Sequence, residues 1–306
     1  MGGLRGMEVM VPQRFNRSTM YELLEAIIDE DLKPKAEEIT FNFRKLKFIE
    51  PAGVTILGNL FEWLNKNGVT CDKILPRSID GRDAVRYLDD SLFFEQYFGE
   101  KLREQAGLRP TTIPLNLVSY ANSYQFLRGR FAFWLANRLD VTVESVKNIT
   151  VSMEEIFNNI RDHAQENTGC IFAQHYPNKD GENTVHITIS DFGVGIPHNI
   201  QKEYPSMDDG EALNMAITAG FSTRSTPRNR GVGLATLVDN VVKDLGGEVY
   251  IHSNHGILTC KAGNNDSDVE YNVSPSYYPG TLIQIKLKAD NIENIISDEE
   301  DFGEWD

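Results

Sequence analysis

The chain has 306 residues, which predicts about two domains at roughly 150 residues each. Its 45 acidic and 30 basic residues give a formal charge of −15. Such a chain lacks the basic surface with which a dedicated nucleic-acid binder neutralises phosphates, so we expect no direct binding of nucleic acid.

The three cysteines, Cys71, Cys170 and Cys260, lie far apart and never form a Cys-x-x-Cys pair. This arrangement argues against a secreted disulfide framework and against a zinc ribbon. No apolar run approaches the ~20 residues of a membrane span, and the N-terminus lacks the apolar core of a signal peptide. We therefore expect a cytoplasmic protein without membrane contact.

The first half of the sequence predicts alternating strands and helices, because period-2 and period-3.6 apolar patterns follow one another. The predicted elements are a helix at 20–30, strands at 39–43 and 45–49, a helix at 54–64 and further helix at 82–98. Asn67-Gly68 ends the 54–64 helix, and Gly107–Pro110 breaks the pattern and marks the predicted domain boundary.

After a first strand, the second half has its helices grouped early and its other strands mostly later. The predicted elements are a strand at 112–118, helices at 120–139 and 143–163, strands at 170–176 and 184–190, a long loop, a helix at 233–245, a hairpin at 247–262 and a last strand at 281–288. This order predicts an α/β sandwich, with helices on one face of a mixed sheet.

The first motif lies on the 143–163 helix, where Glu155, Asn159 and His163 are spaced i, i+4 and i+8. This spacing places the three side chains on one helix face. A carboxylate and a carboxamide together suit Mg²⁺, which prefers oxygen ligands and keeps several waters. Taken alone, the same spacing also fits a solvated surface stripe.

The second motif is a strand that ends at Asp191, followed by Gly193, Gly195 and Ile196. The two glycines would let a ligand approach the backbone closely. The Asp-Phe-Gly triplet also occurs in the magnesium loop of protein kinases. We reject that interpretation, because neither a His-Arg-Asp loop nor a Val-Ala-Ile-Lys strand precedes it.

The third motif, Arg230-Gly231-Val-Gly233-Leu234, leads directly into a predicted helix. Glycines at a helix N-terminus together with arginines form a phosphate site, through exposed N–H groups, the helix dipole and fixed positive charge. A basic, flexible loop is the alternative interpretation. A Rossmann fingerprint is excluded, because the third glycine is missing.

The fourth motif, Gly280-Thr281-Leu282, is a glycine turn that opens a strand. In this order and spacing, the four motifs resemble the nucleotide-binding domain of the GHKL superfamily, which includes histidine-kinase-type ATPases, Hsp90, gyrase B and MutL. The helix motif looks like the N box of that family, and the other three look like its glycine boxes. The resemblance covers about residues 110–290.

The resemblance implies ATP and Mg²⁺ as ligands and gives the site residues their expected roles. Asp191 would accept a hydrogen bond from the adenine amino group, and Gly193 and Gly195 would let the purine lie against the backbone. Asn159 would ligate Mg²⁺. Glu155 would act as the general base at the γ-phosphate.

The remaining matches concern the phosphate end of the site. His163 would lie there, and Gly231 and Gly233 would hold phosphates at the helix start, with residues 203–230 as a mobile lid. Thr281 would support Asp191 and its ordered water. The lid arginines, among them Arg230, and His163 are the least specific of these assignments.

Two features of the sequence point to a branch of the superfamily. No histidine precedes His163, so the upstream phosphoacceptor of sensor kinases is missing, and only about twenty residues follow the last motif. What remains resembles the kinase-type anti-sigma factors, which phosphorylate a serine on a STAS-fold partner and bind sigma factors. The implied partner is a STAS-type regulator or a sigma-like factor, and relatives often form homodimers.

Residues 8–105 resemble a STAS domain through the strand at 39–43, the segment Leu46–Val54 and the helix that follows. The sequence departs from the family at Glu50-Pro51-Ala52, where the family has Asp-Ser-Ser/Thr, so no hydroxyl is available for phosphorylation. Glu50 could mimic a phosphorylated state. We favour the simpler interpretation that Glu50-Pro51 starts a helix.

These patterns predict an α/β protein with a STAS-like domain at 8–106, a GHKL ATP-binding domain at 110–290 and an acidic tail at 291–306. Two functions remain open. The protein is either an ATP-dependent Ser/Thr protein kinase or ATPase acting on a separate regulator, or a nucleotide-gated protein-binding switch with little or no turnover. The presence of Glu155 favours chemistry, and the missing acceptor hydroxyl favours the switch.

Overall fold

A computed structural model describes residues 5–163, 168–218, 233–263, 267–293 and 295. The fold class is α/β, as predicted, and the buried apolar side chains form two clusters. Within the described parts of the chain, none of the helices combines the length and the apolar character needed to cross a bilayer.

The N-terminal unit contains two small parallel sheets. The larger has the order β1-β3-β5, and the smaller pairs β2 with β4. The strands are β1 (Met7–Met10), β2 (Arg14–Phe15), β3 (Glu38–Asn42), β4 (Phe48–Ile49) and β5 (Thr70–Ile74).

Four helices accompany these strands: α1 (Met20–Ile27), α2 (Pro51–Lys66), α3 (Asp83–Asp90) and α4 (Phe93–Phe98). Helix α2 begins three residues earlier than predicted, because Pro51 occupies the first turn, where its missing N–H costs nothing. The helix predicted at 82–98 is two helices, separated at Leu92, whose φ of 63° ends the first of them.

The C-terminal unit is built on a five-stranded sheet of order β6-β7-β8-β10-β9. Its strands are β6 (Thr112–Ser119), β7 (Thr168–Lys179), β8 (Glu182–Asp191), β9 (Glu248–Ala262) and β10 (Ser267–Lys288). Every neighbouring pair is antiparallel, so the predicted α/β class holds while the sheet itself is not mixed.

Helices of this unit cover one face of the sheet, as predicted. They are α5 (Tyr120–Gln125), α6 (Ala132–Leu139), α7 (Lys147–His163), α8 (Ile196–Glu203), α9 (Asp209–Ala216) and α10 (Gly233–Val238). A π-helical turn joins α5 to α6, and another, Asp239–Asp244, continues α10. The apolar stripe of α7 lies in this core, with Ile149, Met153 and Ile156 buried.

The hairpin predicted at 247–262 is wrong. Residues Glu248–Ala262 form the single strand β9, which continues through Asn254 despite its φ of 55°. Its hairpin partner is β10, which starts at Ser267 rather than at residue 281, and their register shifts between Val273 and Thr281. The Asn-His-Gly run at 254–256 is typical of a turn, but here it makes an irregularity inside a long ladder.

The predicted lid at 203–230 lies only in part within the described residues. It begins at the end of α8 and includes α9, which a capping box between Asp208 and Glu211 starts. Residues 219–232 lie outside the described residues, as do residues 296–306 of the predicted acidic tail. The mobility of both segments stays a prediction.

The second face of the five-stranded sheet packs against the N-terminal unit. Successive strand residues point to opposite faces. On β7, Ile171 therefore joins the helical core while Phe172 joins the N-terminal cluster. Helix α2 approaches closely at Gly58, where an added Cβ would lie 2.3 Å from a Leu115 methyl group. The domain limits at 106 and 110 stay a prediction.

Candidate functional site

Asp191 is the last residue of β8 and is only 3% exposed. Its Oδ1 accepts a hydrogen bond from the Gly193 N–H at 2.8 Å, which folds the chain into a tight turn directly after the strand. Because residues i and i+2 of a strand point to the same face, Asp191 shares the face of Ile189, which the helices cover.

Gly280 and Thr281 on β10 lie against this turn. Thr281 is the register partner of Asp191. Gly280 has a φ of +87°, and a Cβ there would lie 2.3 Å from the Asp191 carbonyl oxygen and 2.6 Å from the Gly193 nitrogen. Only glycine therefore allows the two backbones to pass each other here.

Gly195 also needs to be glycine. It precedes α8 with a φ of +83°, and a Cβ would lie 2.4 Å from the Asn254 Oδ1. The Asn254 amide donates to the Val194 carbonyl at 3.2 Å, whereas its buried Oδ1 has no partner among the described residues. A buried acceptor beside a glycine turn fits a site that awaits a polar ligand.

The sequence interpretation missed Ser253 on β9. Its Oγ accepts the backbone N–H of Ile196 at 2.9 Å, donates to the Gly280 carbonyl at 2.7 Å and lies 3.0 Å from the Thr281 hydroxyl. One hydroxyl thus ties α8 to β10 beside Asp191. The polar run at 252–255 inside an otherwise apolar strand was the available signal.

The second group of site residues lies where α10 begins beside α7. A Cβ on Gly233 would lie 3.2 Å from the Glu155 Cβ, 3.4 Å from the Asn159 Nδ2 and 3.6 Å from a Glu155 carboxylate oxygen. Both side chains are half-buried. Leu234 is buried in the core, and the Asn240 amide donates to Ser152 at 2.9 Å, which fastens the helix to α7.

The structure therefore brings the predicted residues together in two groups. Asp191, Gly193, Gly195 and Thr281 meet around one turn, with Ile196 packed against the helical core. Glu155, Asn159 and Gly233 meet at the helix start. The side chain of His163, together with Arg230 and Gly231, lies outside the described residues.

This arrangement fits a purine nucleotide with a bound divalent cation. A buried carboxylate accepts hydrogen bonds from an amino group, and glycines leave room for a flat ring. Glu155 and Asn159 offer the oxygen donors that Mg²⁺ prefers, beside a helix N-terminus that favours anions. Among the described residues, no three His, Cys, Asp or Glu side chains form a metal cluster.

Residues 146–291 match the family described as histidine kinase-, DNA gyrase B-, and HSP90-like ATPase. This range covers just under half of the 306 residues and contains every predicted site residue. A domain of that ATPase family therefore lies at 146–291. None of the curated proteins matches the sequence.

Among solved structures, the chain matches the histidine kinase domain of the blue-light activated histidine kinase from Erythrobacter litoralis EL346. The identity is 16% and the TM-score 0.28, over 58% of this chain. The match spans 66% of the length of that structure, just under two thirds.

Proposed function

We propose that the protein binds ATP with Mg²⁺ at this site and transfers the γ-phosphoryl group, either to a Ser or Thr hydroxyl of a partner protein or to water. The observation that carries this proposal is the close approach of Gly233 to Glu155 and Asn159, which an added Cβ would meet at 3.2 Å and 3.4 Å. A helix start that suits phosphate thereby lies directly beside a carboxylate that can act as a base.

The residues divide the work between binding and chemistry. Asp191 accepts the adenine amino group, and the glycines around it leave the space for the ring. Asn159 holds Mg²⁺, which when bound offsets the negative charge of the phosphates. Glu155 accepts the proton of the attacking hydroxyl or water, as that oxygen bonds to the γ-phosphorus and ADP leaves.

Partner and location follow from the same resemblance. The partner we propose is a STAS-type regulator or a sigma-like factor in the cytoplasm, and relatives suggest that the protein forms a homodimer. The N-terminal unit, proposed as STAS-like, would serve as the regulatory part. The Glu50-Pro51 pair starts α2, and the Glu50 carboxylate accepts from the Asn16 amide at 3.0 Å, which supports a structural role for it.

A second candidate function is a nucleotide-gated switch that binds a partner with little turnover. The favouring observation is the N-terminal unit, which has Glu50-Pro51-Ala52 where STAS domains carry their acceptor hydroxyl. A unit that cannot be phosphorylated there can still present or hide a binding surface. Turnover by the purified protein decides between the two candidates.

The test separates nucleotide binding from chemistry with three single substitutions. Asp191→Asn keeps the oxygen that the Gly193 N–H needs, but loses the charged acceptor, so we expect ATP affinity to fall about tenfold or more. Glu155→Gln should keep the affinity within about threefold and lower phosphoryl transfer by about a hundredfold or more. Calorimetry measures the first quantity, and labelled ATP the second.

Glu154→Gln is the matched control, because Glu154 directly precedes Glu155 on α7. Its carboxylate pairs with Arg128 at 2.6 Å instead of facing Gly233. It should leave both affinity and turnover unchanged. Equal loss of affinity in Asp191→Asn and Glu155→Gln would overturn the assigned roles. ATP binding without any turnover in the unsubstituted protein would favour the switch.

A further inference from the structure

The residue before Asp191 is anchored from the opposite side of the sheet. Ser190 points away from the helices, and its Oγ accepts from the Asn59 amide of α2 at 3.0 Å and lies 2.5 Å from the Tyr278 hydroxyl. All three side chains are buried, Asn59 being 6% exposed. The N-terminal unit therefore reaches the strand end that carries Asp191.

The residue after Asp191 is held by the same helix. The Phe192 ring packs edge-on against Trp63 of α2, with centroids 6.2 Å apart, and against Tyr278 at 5.6 Å. Trp63 follows Asn59 by four residues, so both side chains project from one face of α2. The neighbours of Asp191 on both sides thus contact α2, directly and through Tyr278.

Buried polar groups and close packing stabilise this contact. Burial raises the pKa of the Tyr278 hydroxyl, so it stays protonated and keeps its hydrogen-bonding role at neutral pH. A buried amide or hydroxyl that loses its partner is costly, which holds Asn59 and Ser190 together. The close approach at Gly58 leaves α2 little room to slide over the sheet.

We propose that Asn59 and Trp63 are positioning residues of the nucleotide site, through which α2 of the N-terminal unit sets the orientation of the Asp191 turn. This rests on the proposed binding of ATP at Asp191. Because coupling between two sites is reciprocal, nucleotide binding strengthens the seating of α2 by the same factor by which α2 strengthens nucleotide binding. A partner that engages the N-terminal unit then changes the affinity for ATP.

The experiment compares ATP affinity in the full-length protein by calorimetry. Asn59→Ala and Trp63→Leu should each raise the Kd about tenfold, the usual size of such a coupling. Asn65→Ala is the matched control for the first, because Asn65 lies exposed on the same helix. It should stay within about twofold of the unsubstituted protein.

Tyr87→Phe controls for general loosening of the interface. It removes a hydroxyl that donates from the N-terminal unit to Gln174 on the same sheet at 3.0 Å. Gln174 is the register partner of His186 on β8. His186 precedes Asp191 by five residues, so this hydrogen bond lies roughly 17 Å from Asp191 along the strand. This variant should leave the Kd unchanged even if it lowers the melting temperature.

A spectroscopic readout distinguishes positioning from mere stabilisation. With Trp134 and Trp305 replaced by Phe, Trp63 is the single tryptophan, and its emission should change on addition of ATP and stay constant in an added Asp191→Asn background. Constant emission with ATP bound overturns the proposal, as does a Kd within twofold in both α2 variants. Should Asn59→Ala fail to fold, Trp63→Leu at its half-buried position carries the affinity test.

The failure of the two proposals can be told apart. Absence of ATP binding by the unsubstituted protein defeats the proposed function and this coupling with it. Normal ATP binding that is insensitive to Asn59→Ala and Trp63→Leu defeats the coupling alone.

Discussion

At the scale of single residues, a comparison of Gly280 with Gly181 distinguishes the cost of a positive φ from the cost of steric crowding at the site. Both have a positive φ, +87° and +83°, but a Cβ on Gly280 would enter the Asp191–Gly193 turn, whereas a Cβ on Gly181 would meet open space. The difference in stability between Ala variants at these two positions therefore measures the steric crowding beside Asp191.

We predict that Gly181→Ala lowers the free energy of unfolding by about 1 kcal/mol, the cost of the left-handed conformation, and leaves ATP affinity intact. Gly280→Ala should cost about 3 kcal/mol and weaken ATP binding, because the backbone must also move. Urea unfolding and calorimetry measure the two effects. Equal destabilisation by both substitutions would contradict the crowded geometry.

At the scale of elements, the approach of α10 to α7 depends on Gly233. We predict that Gly233→Ala keeps or raises the melting temperature, since Ala favours helix by about 1 kcal/mol over Gly, but weakens ATP binding about tenfold. The added methyl group would press on Glu155 and Asn159. Thermal unfolding and calorimetry on the same samples check both directions.

Gly129→Ala is the control for that prediction. Gly129 lies in the π-helical turn before α6, and nothing lies within 4 Å of the Cβ that would be added. It should change stability alone. If Gly233→Ala leaves the Kd unchanged, then the contact of α10 with α7 does not shape the site.

Elements with a single clear period were predictable, and those with mixed signals were not. The stripe on α7 and the strand before Asp191 follow directly from apolar spacing. Helix α9 was missed because the sequence on both sides of it is rich in small and polar residues. The Asp208–Glu211 capping box nevertheless marks its start. Strand β10 was predicted too short, because Pro275 and Pro279 are unusual inside a strand, and here they coincide with its register shifts.

The grouping of the candidate site residues was predictable where each residue belongs to a local motif. Asp191, the glycines and the α7 face come from short spacings that read directly along the chain. Ser253 and Asn59 act through contacts between elements distant in sequence, and such contacts have no local pattern. Ser253 joins three segments with one hydroxyl, and Asn59 reaches Ser190 across 131 positions.

At the scale of the whole molecule, the second face of the central sheet is buried by the N-terminal unit. The signal in the sequence is the apolar run Ile171–Ala173, since a strand buried on both faces loses its alternation. The apolar run predicts that the second face is buried, but periodicity along a strand does not reveal which part of the chain packs against it. The interface between the N-terminal unit and this sheet face, called the seam below, also buries His252. The His252 ring lies between Tyr21 and Tyr278.

The burial of His252 between the two units predicts that the folded chain loses stability in acid. Its side chain is fully buried, its Nδ1 lies 2.9 Å from the Tyr21 hydroxyl, and burial lowers its pKa from 6.5 to about 4. Above pH 6.5 the ring is neutral in both the folded and the unfolded chain. As the pH falls from 6.5 to 4, only the unfolded chain gains the proton, so stability falls through that window.

We predict that this histidine alone costs about 2 kcal/mol of unfolding free energy between pH 7 and pH 5. Other groups also titrate in this range, so the measurable quantity is a difference between variants. In urea unfolding, the His252→Leu, Tyr21→Phe double variant should lose about 2 kcal/mol less than the unsubstituted protein over that interval. The second substitution removes the hydroxyl that would otherwise be left without its histidine partner.

His198→Gln provides the comparison, because His198 is an exposed histidine on α8 and its replacement leaves the contribution of His252 in place. An identical pH dependence in the double variant and the unsubstituted protein would mean that His252 takes up its proton in the folded state. The seam around Tyr21 and Tyr278 would then open to water at pH 5 without unfolding.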